Sequence, residues 1–217
     1  MILREIKNLG FNPNNILDVG ANKTEWTREC ERVFPESQYY LIEPQIEMLD
    51  YLESARLELD CFYTICAAGE KDGKGLLTLW EDRCGSSLLP EIEYRFEDGT
   101  PAEQREVDVF TLDTLIKNNK IKKPDLIKID TQGYEINVLK GLSTISDVEI
   151  IILEVSFFEF IKGQPLFHEV VSFMKECGFV CYDFFNFLRR PLDNSLGQCD
   201  VCFVNEKSFL KDSCKWN

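Results

Sequence analysis

Four acids stand at the carboxyl ends of apolar runs: Asp18 in "NILDVG", Glu43 in "QYYLIE", Asp130 in "DLIKID" and Glu154 in "VEIIILEV". A carboxylate so placed can hold a pair of vicinal hydroxyls, oppose a bound cation or take a proton from a hydroxyl. Two short stretches beside them could shape a ligand site: the turn Gly20-Ala21-Asn22 and the Gly85-Ser86-Ser87 segment. His168, the one histidine, is a second candidate for proton transfer, because its helix follows the segment "EVSFFEFIKGQP" that leads away from Glu154. Glu135 falls in the first turn of a helix, where the macrodipole favours an acid.

The elements that must position these acids alternate. "NILDVG" reads as a strand and "TEWTRECERVF" as a helix with Trp26, Cys30 and Val33 at helical spacing. "QYYLIE" is a second strand, followed by a helix that sets Ile46, Leu49 and Leu52 on one face. "CFYTICAAG" is a third strand. Between Lys71 and Gln104 glycines and prolines break the pattern around one short strand, "LLTLW", and a loop, "RCGSSLLPE". Then come "REVDVF" and a short helix, the buried strands "DLIKID" and "VEIIILEV" separated by the helix "YEINVLKGL", a helix opened by Pro165 and closed by Gly178, and two final strands. Strands that are almost continuously apolar and alternate with helices form a parallel sheet covered on both faces. In such sheets a ligand binds outside the carboxyl ends of the strands, the rim on which the four acids lie.

Composition narrows the partners. With 24 basic and 38 acidic residues the net charge is −14, which disfavours a polynucleotide; "KNNKIKKP" (117–124) is the only basic cluster and reads as a solvated loop. No apolar run reaches the roughly 18 residues of a membrane span, and the charged N-terminus does not read as a signal peptide, so a cytoplasmic location is expected. Nine cysteines invite a zinc reading for Cys177, Cys181, Cys199 and Cys202, but strand alternation throws Cys199 and Cys202 to opposite faces. No metal ligand is assigned. At 217 residues a single domain over 1–217 is expected, with 71–104 inserted as a cover.

The glycine pattern separates two ligand classes. A dinucleotide site needs G-x-G-x-x-G, because its pyrophosphate lies on bare backbone at a helix start. Here the turn is G-A-N-K-T-E, with Gly20 alone, and Asp18 would set a negative charge near the pyrophosphate. A sulfonium ligand with an ammonium group suits that acid better. Glu43, 25 positions after Asp18, stands where an acid holds ribose hydroxyls in either class. S-adenosylmethionine therefore fits better than NAD.

In order and spacing, "ILDVGAN", "IEP", "AAGEKDG", "GSSLL", "VDVFTLDTL", "LIKIDTQGYEINVLKG" and "IIILEV" resemble the FkbM family of methyltransferases, from about Asn15 to Val204. The resemblance implies a Rossmann-like class I methyltransferase fold: an α/β architecture with a seven-stranded, mostly parallel sheet whose last strand is antiparallel. It also implies S-adenosylmethionine as donor and O-methylation of a hydroxyl on a sugar, glycan or small natural product. Matched by motif, Asp18, Gly20, Ala21 and Asn22 would line the methionine part, Glu43 would hold the ribose, and Pro44, Cys66 and Ala67 would border the adenine. Asp130 would face the methyl group or the acceptor, with Asp130 and His168 as candidate bases and Ser86 and Glu154 toward the substrate. Thr24 replaces the usual glycine and is expected either to alter the helix start or to cap it. Gln132 replaces a common Glu, which weakens the case for a metal between two acids; a divalent cation is left open and unassigned. The expected partners are a small-molecule or glycan acceptor and at most a second copy of the chain, with no nucleic acid and no membrane. An NAD-type oxidoreductase, a catalytically inactive binding module and methylation of nitrogen or a protein side chain stay open as alternatives.

Overall fold

The computed structural model describes residues 2–80, 83–89, 102–213 and 215–216. Its first half comprises α1 (Ile2–Asn8), β1 (Asn15–Val19), α2 (Glu25–Glu31), β2 (Gln38–Glu43), α3 (Leu49–Leu59), β3 (Phe62–Ile65), β4 (Ala67–Ala68) and β5 (Gly73–Leu79). Its second half comprises β6 (Glu103–Phe110), α4 (Leu112–Lys117), β7 (Leu126–Ile129), α5 (Glu135–Lys140), β8 (Ile150–Ser156), α6 (Phe167–Glu176), β9 (Phe179–Arg189) and β10 (Leu196–Asn205).

Seven strands form one sheet in the order β3-β2-β1-β7-β8-β10-β9. β10 runs antiparallel between β8 and β9, and the other neighbours are parallel. The α/β expectation, including its antiparallel last strand, is met. Period-two alternation divides the apolar side chains between two cores. Ile16, Tyr39, Leu41, Leu126 and Ile152 pack with α1, α2 and α3, whereas Leu17, Ile42, Ile127, Ile129 and Leu153 pack with α4, α5 and α6. Cys199 joins the second core and Cys202 the first, the opposite facing that alternation demands. Consecutive units build outward from β1 through β2 to β3, and the chain then returns to lay β7 on β1's other side. That reversal opens a crevice between β1 and β7 at the strands' carboxyl ends.

Three details differ from the pattern reading. "CFYTICAAG" is two strands, with β3 on the large sheet and β4 leaving it at Cys66 to pair with β6 in a three-stranded sheet of order β4-β6-β5. Ile46 is exposed and the buried face of its helix is Met48, Leu52 and Ala55, because a one-turn 3-10 segment at 46–48 shifts the phase. Thr24 precedes α2 without capping it: its backbone is left-handed (φ 65°) and its side-chain oxygen accepts from Arg28 Nε at 3.1 Å. Part of the expected cover, at 81–82 and 90–101, lies outside the described residues, and with it most of "LLPEIEYRF".

Candidate functional site

The crevice between β1 and β7 holds a cleft of about 480 Å³, within the size of a small-molecule site. At one end Glu43 closes a turn between two loops: its Oε2 accepts from the Asn22 N–H (2.8 Å) and its Oε1 from the Gln45 N–H (2.9 Å). Burial pushes its carboxyl up, and those backbone donors work against the push. With the Gln45 side chain as a third donor, the carboxylate still has acceptor capacity for a ligand hydroxyl. Ile42, Ala67, Ala68 and Leu77 give this end an apolar wall suited to a flat base. Asn22 is left-handed (φ 44°), and the N–H that a dinucleotide fold would offer to pyrophosphate is already bonded to Glu43.

Gly20 lies where β1 and β7 meet. A Cβ built there would stand 1.9 Å from the Asp130 carbonyl oxygen, so only a glycine lets the two strand ends approach so closely. Asp130 therefore reaches the cleft beside Gly20. Its Oδ2 pairs with Lys128 Nζ at 3.2 Å, and its Oδ1 accepts from Gln132 Nε2 at 2.8 Å. The same Gln132 nitrogen donates to Glu154 Oε2 (2.8 Å), and Gln198 Nε2 donates to that oxygen from β10 (3.0 Å). A neutral amide thus bridges the two acids where a cation would otherwise serve. Glu154 is held well above the ordinary carboxyl range by burial and then by the neighbouring Asp130 carboxylate. The acid that ties the Thr-Gln-Gly turn to its backbone is Glu135, not Asp130: its Oε1 accepts from the Thr131 and Gly133 N–H groups, both at 3.0 Å. Gln132, at the centre of that turn, is left-handed (φ 54°).

Residues 83–89 run along the cleft. The Arg83 carbonyl accepts from Asn22 Nδ2 (2.6 Å) and Gln45 Nε2 (3.0 Å), while Ser87 Oγ donates to the Gln132 carbonyl (2.8 Å). Ser86 Oγ donates to Gln45 Oε1 at 3.3 Å, which sets Ser86 at the Glu43 end.

Gly20, Asn22, Glu43, Pro44, Ala67, Ser86, Asp130 and Glu154 all line this cleft, so most of the residues singled out in the sequence converge on it. Four do not. His168 is exposed on the first turn of α6, Ala21 packs into the α1–α3 core, and the Cys66 side chain turns into the α4–α6 core with its thiol pushed up to about 12 by burial. Asp18 lies beneath the cleft, with its Oδ2 accepting from Thr27 Oγ1 at 2.5 Å. Lys128, Gln45 and Gln198 went unnoticed as site residues, and Gln132 was weighed only as a missing metal ligand. For Lys128 the signal was there: a cation inside the apolar run "LIKI", in a sheet covered on both faces, requires buried anions.

Burial raises Asp18 from 3.8 to about 6, against the opposing Thr27 hydrogen bond and Lys128. Because the folded-state value lies above the unfolded one, the folded chain holds an extra proton between about pH 4 and pH 6, and stability falls as pH rises through that window. Asp18→Asn is expected to flatten this fall, raising stability at pH 7 by roughly 3 kcal/mol, since about 1.4 kcal/mol accompanies each unit. Thermal melts of both proteins across the pH range measure it; parallel curves would refute the assignment.

A family model for the "Methyltransferase FkbM domain" matches residues 18–181, about three quarters of the chain. No curated protein matches the sequence. Among solved structures, magnesium protoporphyrin IX methyltransferase from Synechocystis PCC 6803, crystallised with bound S-adenosylmethionine, is similar at a TM-score of 0.53 and 7% identity, covering 94% of this chain and 76% of that one. Precorrin-6y C5,15-methyltransferase from Geobacter metallireducens GS-15 is similar at 0.50 and 9% identity, covering 94% and 86%. A putative tRNA (m1A22) methyltransferase from Streptococcus pneumoniae is similar at 0.50 and 12% identity, covering 94% and 69%. At such identities these likenesses show the fold alone; it is the family match, on the motifs that build the cleft, that carries the assignment and sets aside an NAD-type oxidoreductase. The chain belongs to the FkbM methyltransferase family, the S-adenosylmethionine-dependent enzymes of class I methyltransferase fold.

Proposed function

We propose that the chain methylates a hydroxyl oxygen on an uncharged sugar, glycan or small natural product, with Asp130 as the group that takes the hydroxyl proton. The observation that supports this is the cleft floor. Asp130, Gln132, Glu154 and Gln198 converge there as two acids and two amides, and among the described residues lining the cleft none is basic. Amides and carboxyls match the mixed donors and acceptors of a polyol, while a phosphate or carboxylate on the acceptor would find no cation to pair with among the described lining residues. The same argument, with the net charge of −14 and a basic loop at 117–124 that precedes the opposite, amino end of β7, speaks against a polynucleotide acceptor.

S-adenosylmethionine supplies an activated methyl group. Glu43 would hold its ribose, the Ile42–Ala67–Ala68–Leu77 wall its base, and the Gly20–Asn22 turn its amino-acid part. The chain's work is then positioning, which in well-oriented reactions is worth up to about 7–11 kcal/mol of barrier, and removal of the acceptor's proton. With the donor bound, the acceptor oxygen would take the methyl group as the thioether leaves with its electron pair, and the hydroxyl proton would pass to Asp130.

Incubation with methyl-deuterated S-adenosylmethionine and a panel of neutral glycosides, sugar phosphates, amines and short RNAs, read by mass spectrometry, tests the reading. Labelled ethers on neutral glycosides, and none on their phosphates, are expected. Labelling of amines or RNA in preference to hydroxyls would replace this acceptor class with another.

A further inference from the structure

Lys128 is buried in the middle of β7, on the sheet face that also carries Asp18, Asp130, Glu154 and Asp200. The register explains the gathering. Lys128 stands beside Asp18 on β1 and Ile152 on β8, and Glu154, two residues on, stands beside Asp200 on β10. The Lys128 ammonium meets Asp130 Oδ2 at 3.2 Å and Asp200 Oδ1 at 3.4 Å, and Asp200 Oδ2 accepts from Asn186 Nδ2 at 2.7 Å. Only 4% of the Lys128 side chain is exposed, against 35% of Asp130, so the ammonium cannot meet a ligand while its partner can. A buried ion pair is a poor source of stability, because desolvation offsets most of its attraction. Its arrangement points instead to control of the acid in the cleft.

We propose that Lys128 is a positioning residue for the methyl donor: it clamps Asp130 against Asp200, fixing a carboxylate at the cleft floor that opposes the donor's sulfonium. This rests on the placement of Asp130 at the methyl end of the donor. The charged groups facing the pair are Asp18 from β1, Glu154 from β8, Asp200 from β10 and Glu135 from α5. Burial works against the ammonium, but the neighbouring acids, Asp130 and Asp200 foremost, outweigh it and keep the proton on Lys128. One cation is thus shared among acids that outnumber it.

S-adenosylmethionine and S-adenosylhomocysteine differ by one methyl group and the sulfur's charge, so the ratio of their affinities isolates the opposing carboxylate from general damage to the cleft. Calorimetric titrations of both ligands at one fixed pH give that ratio for the wild type, Lys128→Met, Asp200→Asn and Asp130→Asn. The wild type is expected to favour the sulfonium, and Asp130→Asn abolishes that preference. Lys128→Met, which releases Asp130 from the clamp, lowers the ratio by about tenfold. Asp200→Asn, which removes the other end of the clamp, lowers it in the same direction and decides the matter if Lys128→Met does not fold. If Asp130→Asn keeps the wild-type ratio, or if the wild type shows no preference, the placement of Asp130 fails and the proposal with it. If Asp130→Asn abolishes the preference while Asp200→Asn leaves it unchanged, only the role of Lys128 is overturned.

Discussion

Glu43→Ala is expected to weaken S-adenosylmethionine binding by about 1.5–3 kcal/mol, roughly 13- to 150-fold, the range for hydrogen bonds to a charged group. Two losses combine. In the proposed donor pose the ribose hydroxyls lose the carboxylate at the end of β2, and the Asn22 and Gln45 N–H groups lose their shared acceptor. The second loss also costs stability, because those donors sit at a buried position where a missing partner costs about 1–3 kcal/mol until water fills the gap. Glu43→Gln separates the two. One amide oxygen still accepts from one loop, while the NH2 group faces the other loop's N–H, so the glutamine variant should retain part of the stability and little of the affinity. Calorimetry with the donor, paired with thermal melts, distinguishes them. Unchanged affinity in the alanine variant, with a normal melt, would remove Glu43 from the donor site.

Gly20→Ala is expected to destabilise the fold by more than about 3 kcal/mol and to abolish donor binding. The backbone there has φ +82°, which costs a side chain about 1–2 kcal/mol by itself. The larger effect is contact. The new Cβ would lie 1.9 Å from the Asp130 carbonyl oxygen and 2.9 Å from its carbon. That carbonyl cannot swing aside cheaply, since the Asp130 N–H donates to the Val19 carbonyl at 2.9 Å and the Gly20 N–H donates to Ile42 at 2.9 Å, which pins both strand ends. Relief requires β1 and β7 to separate at the crevice proposed to hold the donor. Gly10→Ala is the control: φ is +107° and nothing lies within 4 Å of its Cβ, so it reports conformational strain without a clash. Denaturant unfolding of both variants measures the difference; equal destabilisation would show that the close approach at Gly20 is not what matters.

Much of the site was legible because strand ends are local features. The runs ending in Asp18, Glu43, Asp130 and Glu154 are four to seven apolar-rich residues each, and in a parallel sheet their carboxyl ends share one rim whatever the register. Ala67 and the Gly20–Asn22 turn follow the same logic. The errors came where a local pattern permits two answers. A lone histidine on a helix can face a cleft or solvent, and His168 faces solvent. An acid next to a helix start can touch a ligand or a hydroxyl of that helix, and Asp18 touches Thr27. The run at 61–69 has strand character throughout, yet Cys66 divides it between two sheets, because pairing partners rather than propensity decide where a ladder ends.

By itself, then, the sequence determined the α/β class, the rim, the donor and the family, since these depend on hydrophobic period, chain order and short motifs. The tertiary structure alone decided which charges share a site. Lys128 lies 72 residues before Asp200 and 110 after Asp18 in the chain, and the three meet through strand register across β1, β7, β8 and β10. Alternation specifies a strand's face but not its register, because a slip of two residues preserves every inward side chain while replacing every neighbour. Gln132 and Gln198 reach Glu154 for the same reason, and they turn a row of strand-end acids into a cleft floor.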